Sequence, residues 1–241
     1  MRADKYLVEH GYFETRARAQ EAIEAGLVRL DGVPVRKASQ KIAAGVKIEA
    51  EPLHPYVSRA ALKLVGGLDA FGVDPAGCVC LDVGSSTGGF TEVLLERGAA
   101  RVYAVDVGRE QLHDRLRAEA RVVSMEATDA RDLTVDSFAD APSIIVCDAS
   151  FISLLKVIPV PLSLAADRAV FVGLIKPQFE VGRDGIGRGG LVRSEDEALR
   201  AVDSVRAALE GMAGFRVDTV IPSPIAGGDG NQEYLVMARK D

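Results

Sequence analysis

A chain of 241 residues, 48% hydrophobic and 27% charged, has ordinary globular composition and is long enough for one well-filled α/β domain plus a small appendage. No apolar run reaches the roughly 18 residues that a membrane helix needs, and the N-terminal MRADKYLVEH puts charges where a signal peptide has its apolar core, so a cytoplasmic location is expected. The net charge of −6 disfavours a nucleic-acid partner only on average, because residues 1–50 hold nine Lys/Arg against seven Asp/Glu, a local +2.

The first fifty residues read as a unit. ADKYLVEHG has the pattern of a short helix stopped by Gly11, and TRARAQEAIEAG that of a second, with Thr15 as N-cap and Gly26 as stop. LVRL and VPV flank Asp31-Gly32, a pair suited to a two-residue hairpin turn, and VKIE is a candidate third strand. Paired helices and a small ribbon, across RADKYLVEHGYFETRARAQEAIEAGLVRLDGVPV, resemble the RNA-binding domain named after ribosomal protein S4. In that domain the start of the second helix and the turn before it meet RNA backbone. The resemblance makes Arg2, Lys5, Arg16, Arg18, Arg36 and Lys37 candidate phosphate contacts, and a solvated basic face is the alternative for any one of them.

EAEPLHPYVS, with Pro52 and Pro55, is the expected linker, over 51–57, between a domain of 1–50 and one of 58–241. Ser58 is placed to cap a helix in SRAALKLVGGLDAFG. Beyond it CVCLDVG, RVYAVDVG, RVVSME, SIIVCDA, AVFVGLIK, FRVDTVIPSP and EYLVMAR are predicted strands, with helices between the first six. Such alternation predicts a parallel sheet covered on both faces, with ligands off the carboxyl ends of its strands. IAGGDGNQ is too short to connect a parallel pair, so the last strand is expected to be antiparallel. Seven strands with the last reversed resemble the Rossmann-like class I fold of S-adenosylmethionine-dependent methyltransferases, an α/β domain here joined to a small α+β one.

LDVGSSTGGF follows the first strand of that sheet. It lacks the Gly-Lys-Ser/Thr of a P-loop, and Ser86 stands where Gly-x-Gly-x-x-Gly needs its second glycine. Asp82-x-Gly84-x-x-x-Gly88-x-Phe90 instead resembles the first methyltransferase motif, whose glycines let the methionine half of the cofactor lie against the turn. The resemblance implies S-adenosylmethionine contacts from Asp82, Gly84, Ser85, Ser86, Thr87, Gly88, Gly89 and Phe90; for Asp82 a capping role is the alternative. Asp106, with Val107 beside it, ends the second strand, where an acid accepts ribose hydroxyls. Asp129, followed by Ala130, comes after the third, where the family usually has an acid near the adenine amino group, and Asp148 joins the cofactor-binding set.

The fourth strand ends VCDASF, which lacks the Asn-Pro-Pro-aromatic element of enzymes acting on base nitrogens. Enzymes acting on pyrimidine carbon five need a cysteine there, but strand alternation points Cys147 to the face opposite Asp148. An oxygen acceptor remains, most simply a ribose 2′-hydroxyl, whose proton must be taken or shared as the methyl carbon is attacked. FtsJ-type ribose methyltransferases do this with a Lys-Asp-Lys-Glu set. The resemblance assigns it to Lys63 in ALKL, Asp148 in CDASF, Lys176 in LIKPQFE and Glu233 in NQEYLV. Lys176, where an apolar strand stops before Pro177, is the expected proton acceptor; Lys63 helps position the acceptor and the acids orient the lysines. Deprotonation and mere polarisation by Lys176 both remain open at this stage.

EVGRDGIGRGGLVR holds five glycines between Gly182 and Gly190 and is expected to be a mobile loop beside the site. Its Arg183 and Arg188, together with Arg59, are candidate RNA contacts, with a plain connecting loop as the alternative. Cys78, Cys80 and Cys147 are odd in number and sit in strand-like runs, so they are expected to be reduced packing residues, and the three histidines show no metal-ligand spacing.

VSRAALKL, GSSTGGFTEVLLERGA, DASFISL, IKPQFEVG and GNQEYLV give a resemblance to the TlyA family over nearly the whole chain. These ribose methyltransferases are often called hemolysins. The resemblance implies methyl transfer to the 2′-oxygen of a cytidine in ribosomal RNA, in the large subunit and in some members also the small, with ribosomal RNA or subunits as partner. A chain that starts almost at its first helix and stops just after its last strand is like the shorter branch, so the large-subunit target alone is expected; no oligomeric state is read from the sequence, and a monomer is favoured. The linker reads HPYV where better-known members carry a tryptophan. A non-catalytic assembly factor would leave the four site residues without purpose, and a membrane-active hemolysin would need a span or a strongly basic amphipathic helix.

Overall fold

The computed structural model describes residues 1–43 and 45–240 and falls into two units, residues 1–55 and 56–241. In the first, α1 (Ala3–Glu9) and α2 (Arg16–Glu24) are followed by β1 (Val28–Leu30), β2 (Val33–Pro34) and β3 (Ile48–Ala50), in the antiparallel order β2-β1-β3. Thr15 Oγ1 accepts from Arg18 N at 3.3 Å, an ordinary N-cap. Asp31 and Gly32 have φ of 50° and 81°, both left-handed, as a two-residue hairpin turn with the right twist requires. Leu7, Phe13, Ile23, Val28 and Val35 form the core.

At its edge lies a fully buried carboxylate, Asp4. Arg2 reaches Oδ1 at 3.0 Å and Oδ2 at 3.1 Å, while Arg16 and Gln20 reach Oδ2 at 2.7 and 2.8 Å. The Arg2 guanidinium, then Arg16 and Gln20, hold this carboxyl well below the usual carboxylate range against the opposing effect of burial. Arg16 and Gln20 of α2 thus tie that helix to Asp4 of α1.

The second unit opens with α3 (Ala61–Phe71) and alternates through β4 (Val79–Val83), α4 (Gly89–Glu96), β5 (Arg101–Asp106), α5 (Asp114–Arg117) and β6 (Val122–Glu126). It continues with β7 (Ile144–Cys147), α6 (Leu154–Val157), α7 (Pro159–Ser163), β8 (Val170–Ile175), α8 (Pro177–Glu180), α9 (Glu195–Leu209), β9 (Phe215–Pro222) and β10 (Tyr234–Lys240). One seven-stranded sheet has the order β6-β5-β4-β7-β8-β10-β9, with β10 antiparallel to both neighbours. Alternate residues separate two cores. Leu81, Tyr103, Ile145 and Phe171 face α6, α7 and α9, while Cys80, Val102, Val146 and Val172 face α3 and α4.

Two sequence expectations are corrected. Ser58 does not cap α3: its Oγ accepts from Ala60 N at 3.2 Å in a preceding turn, and the helix starts at Ala61. Between β6 and β7 the described residues form only 3-10 turns, Ala130–Asp132 and Val135–Ser137, instead of a helix. There Asp129 accepts from Arg131 N, and Thr134 and Ser137 cap each other, so local side-chain bonds displace the helical pattern.

Candidate active site

The glycine turn after β4 brings two strand ends unusually close. Gly84 has φ of 80°, and a Cβ there would stand 3.0 Å from the backbone of Ala149, just past β7. Ser86, also left-handed at φ 46°, donates its N–H to Asp106 Oδ2 at 2.8 Å, while Gly108 N donates to Oδ1 at 2.7 Å. Asp106 is thereby fixed at the tip of β5.

These ends enclose a cavity of about 580 Å³ lined by Gly84, Ser86, Asp106, Val107, Asp129 and Ala130 and by the segment Asp148–Ile152. A smaller recess of about 150 Å³, lined by Ser58, Ser85, Thr87, Gly89 and Phe90, shares Gly84, Ser86, Asp148 and Ser150 with it. The chemistry fits a nucleoside with a charged tail. Asp106 offers a fixed carboxylate, Val107, Ala130 and Ile152 offer an apolar slot, and the buried Ser85 Oγ has no partner among the described residues. Asp129 differs from expectation in not standing free. Arg131 forks it at 2.5 to 3.1 Å, and this bond holds the Asp129 carboxyl down at about 2.

Asp82 and Gly88 line neither space. Gly88 starts α4 with φ of 97° and backs onto Leu112 and Leu116. Asp82 is fully buried, accepts from Thr91 Oγ1 at 2.7 Å, and so ties β4 to α4. The Asp82 carboxylate thus faces Thr91 of α4 rather than either space, the arrangement of the alternative, structural role. Burial pushes its carboxyl up to about 7, with Thr91 opposing. An unfolded aspartate titrates near ~3.9, so folding favours the neutral form, and this contribution to stability is full below ~4 and is lost as pH rises. Thermal unfolding is expected to report that loss between about 4 and about 7, and Asp82→Asn to flatten it; an unchanged pH slope in the variant would remove Asp82 as its source.

The four residues expected to carry chemistry form two ion pairs, Lys63–Glu233 buried and Lys176–Asp148 with its carboxylate half-buried. Lys63 Nζ, from the first turn of α3, lies 2.5 Å from Glu233 Oε2, just before β10. The missing side chain of Gly227 makes room for this carboxylate, because a Cβ there would stand 2.6 Å from Glu233 Oε1. Lys176 Nζ, at the end of β8, lies 2.5 Å from Asp148 Oδ1 at angles outside hydrogen-bond geometry. It donates to Ser150 Oγ at 2.7 Å. The register of β8 against β10 pairs Ile175 with Tyr234, which sets Lys176 and Glu233 at adjacent ends, and Asp148 opens both cavities. Cys147 is buried on the α6 side, and burial pushes its thiol up to about 12, so it is no nucleophile.

Several residues here escaped sequence reasoning. Ser150 is the hydroxyl on Lys176. Phe151 is 92% exposed on the cavity wall with φ of 66°. Asn231 staples the glycine-rich loop, accepting from Val192 N at 2.9 Å and donating to Gly190 O at 3.0 Å. That loop, expected to be mobile, carries a bridge between Ile186 and Val192. The only sequence signal for these residues was their place within the motifs.

The cationic candidates separate into two groups. Lys5, Arg36, Lys37, Arg183 and Arg188 are exposed. Arg18 is turned inward, its side chain 17% exposed and donating to His54 O at 3.0 Å. Arg59 likewise donates to Ala226 O at 2.8 Å, and Arg2 and Arg16 grip Asp4. Among the described residues no helix is long and apolar enough to cross a membrane, and no cluster of metal-ligating side chains occurs.

Comparison with known proteins matches residues 56–240 to the FtsJ-like methyltransferase family and residues 1–48 to the S4 domain. The 16S/23S rRNA (cytidine-2′-O)-methyltransferase TlyA of Mycobacterium tuberculosis is 43% identical over 99% of this chain and 89% of its own. Hemolysin A of Brachyspira hyodysenteriae is 42% identical over 98% of each. The 23S rRNA (cytidine-2′-O)-methyltransferase TlyA of Campylobacter jejuni is 39% identical over 75% of this chain and 69% of its own. A solved hemolysin-named structure from Streptococcus thermophilus, 39% identical, covers 100% of this chain and 88% of its own with a TM-score of 0.79. The chain belongs to the FtsJ-like methyltransferases, in the TlyA family that joins this domain to an S4 domain.

Proposed function

We propose that the protein methylates the ribose 2′-hydroxyl of a cytidine in large-subunit ribosomal RNA, with S-adenosylmethionine as donor. The observation that carries this reading is Lys176, a buried side chain held by Asp148 and Ser150, two residues that line both cavities. When bound, the cofactor supplies a methyl carbon made electrophilic by a sulfonium. The chain's own residues do the rest. Asp106 holds the ribose and Asp129 the adenine edge, while the glycine turn leaves space for the methionine half.

In its neutral amine form Lys176 Nζ would take the proton of the acceptor hydroxyl as the carbon–oxygen bond forms and the methyl–sulfur bond of the cofactor breaks, with S-adenosylhomocysteine leaving; Asp148 and Ser150 fix the direction of that amine. Lys63 and Glu233 shape the wall behind it. The exposed Phe151 ring gives the target base a stacking surface, as aromatic side chains do for unpaired RNA bases. Residues 1–50 serve as the RNA-binding module through Lys5, Arg36 and Lys37, residues 51–57 link it to the transferase module of 58–241, and Arg183 and Arg188 add phosphate contacts. A ribosomal substrate fits a cytoplasmic location.

The test is a map of 2′-O-methyl groups on ribosomal RNA from cells with and without the protein. Loss of one large-subunit cytidine methylation is expected. An unchanged map would overturn the reading, and a second loss in small-subunit RNA would widen the target to both subunits.

A further inference from the structure

The segment after β7 and the helix after β8 meet at three successive levels. At the first, Lys176 pairs with Asp148 and donates to Ser150 Oγ at 2.7 Å. At the second, the rings of Phe151 and Phe179 lie 5.5 Å apart, tilted by 49°. At the third, the Glu180 carboxylate accepts from both Ser153 Oγ and Leu154 N, each at 2.7 Å. Lys176 and Phe151 have roles in the proposed reaction; Glu180 so far has none.

The stretch between the first and third levels would not keep its shape unaided. Phe151 is left-handed at φ 66°, a region that aromatic residues rarely adopt, and its ring is 92% exposed, so packing around the ring does not force the backbone. A strained residue persists only where its surroundings over-determine it. On one side Asp148 is fixed by Lys176 and by its own N–H to Val83 O at 3.1 Å. On the other side Glu180 binds the residues just past Ile152 through two charge-assisted bonds.

We propose that Glu180 is a positioning residue for methyl transfer: its grip on Ser153 and Leu154 holds segment 149–152 so that Ser150 and the Phe151 ring stand beside Lys176. This rests on the methyl-transfer reading above. Without the carboxylate, Phe151 can relax to negative φ, which swings its ring off the acceptor position and draws Ser150 away from the amine.

The full chain is assayed for methyl transfer to ribosomal RNA and subunits from cells that lack it, beside S-adenosylhomocysteine binding and thermal unfolding. Glu180→Ala is expected to lower kcat/KM roughly 10- to 100-fold, the scale of a small misplacement of reacting groups, with the unfolding temperature little changed and S-adenosylhomocysteine affinity falling less than the rate, because Gly84, Ser86 and Asp106 stay in place while segment 149–152 shifts. Glu180→Gln is expected to restore the rate, because its amide oxygen accepts from Leu154 N and its amide N–H donates to Ser153 Oγ. The double variant Phe151→Ala, Glu180→Ala is expected to be no slower than the slower single, since both disable one element.

An unimpaired Glu180→Ala, a Glu180→Gln as slow as the alanine variant, or losses that multiply in the double variant would each overturn the proposal. If the alanine variant does not fold, Glu180→Asp decides: it keeps the charge but falls one methylene short, so a wild-type rate overturns the proposal and a loss supports it. An inactive wild-type chain in the same assay would count against the methyl-transfer reading instead.

Discussion

Replacing Lys176 with alanine is expected to lower methyl transfer to ribosomal RNA by roughly 10³-fold, within the range a positioned acid–base group supplies, while S-adenosylhomocysteine still binds. The separation follows from geometry. Lys176 lies at the end of β8 and touches Asp148 and Ser150, but it is absent from the walls of both cavities that would take the cofactor. Its removal therefore strips the acceptor side and leaves the turn at Gly84 and the acid at Asp106 in place. Lys176→Arg sharpens the assignment, because a guanidinium stays protonated and can donate but cannot take a proton. An arginine variant as slow as the alanine one supports proton acceptance. Substantial activity with arginine would mean that a fixed positive charge on the oxygen suffices, and full activity with alanine would remove Lys176 from the reaction.

What the chain alone revealed divides along a physical line. The seven strands of the sheet and the reversed β10 were legible, because apolar alternation and loop length are local properties, whereas the lateral order of the strands is not. Lys63, Asp148, Lys176 and Glu233 were legible as residue types in motifs. Their division into Lys63–Glu233 and Lys176–Asp148 was not, since the first pair is 170 residues apart in sequence and only the fold brings them together. The same holds for Glu180, whose partners Ser153 and Leu154 precede it by more than one element.

The arginines show the opposite failure. Arg2, Arg16 and Arg18 look alike as basic residues near a helix start, yet Arg2 and Arg16 converge on buried Asp4 and Arg18 donates to His54 O. A charge pattern gives the sign of a surface but not which cations already have a partner. Asp82 belongs with them: its motif suggested a ligand contact, and only burial shows that it holds β4 to α4 through Thr91.

The pair behind the site carries a prediction in which stability and activity move apart. Lys63 and Glu233 are 6% and 2% exposed and 2.5 Å from each other, so each neutralises a charge that water cannot reach. Glu233→Ala leaves the ammonium unpaired inside the protein, a change that typically costs about 3–5 kcal/mol. For a unit of this size that corresponds to an unfolding temperature lower by roughly 10 °C. Exchanging both partners for apolar residues of similar volume, Lys63→Met with Glu233→Leu, removes the charge and its counter-charge together, and such exchanges are often neutral or stabilising. The double variant is therefore expected to unfold near the wild-type temperature yet to transfer methyl groups at least roughly 10²-fold more slowly, because the polar wall behind Lys176 is gone. Thermal unfolding and transfer rates of the three proteins decide it. A double variant as unstable as Glu233→Ala would show that the loop before β10 needs the glutamate for more than its charge. A double variant that keeps its activity would make the pair a support of α3 against β10, and would leave the chemistry to Lys176 and Asp148 alone.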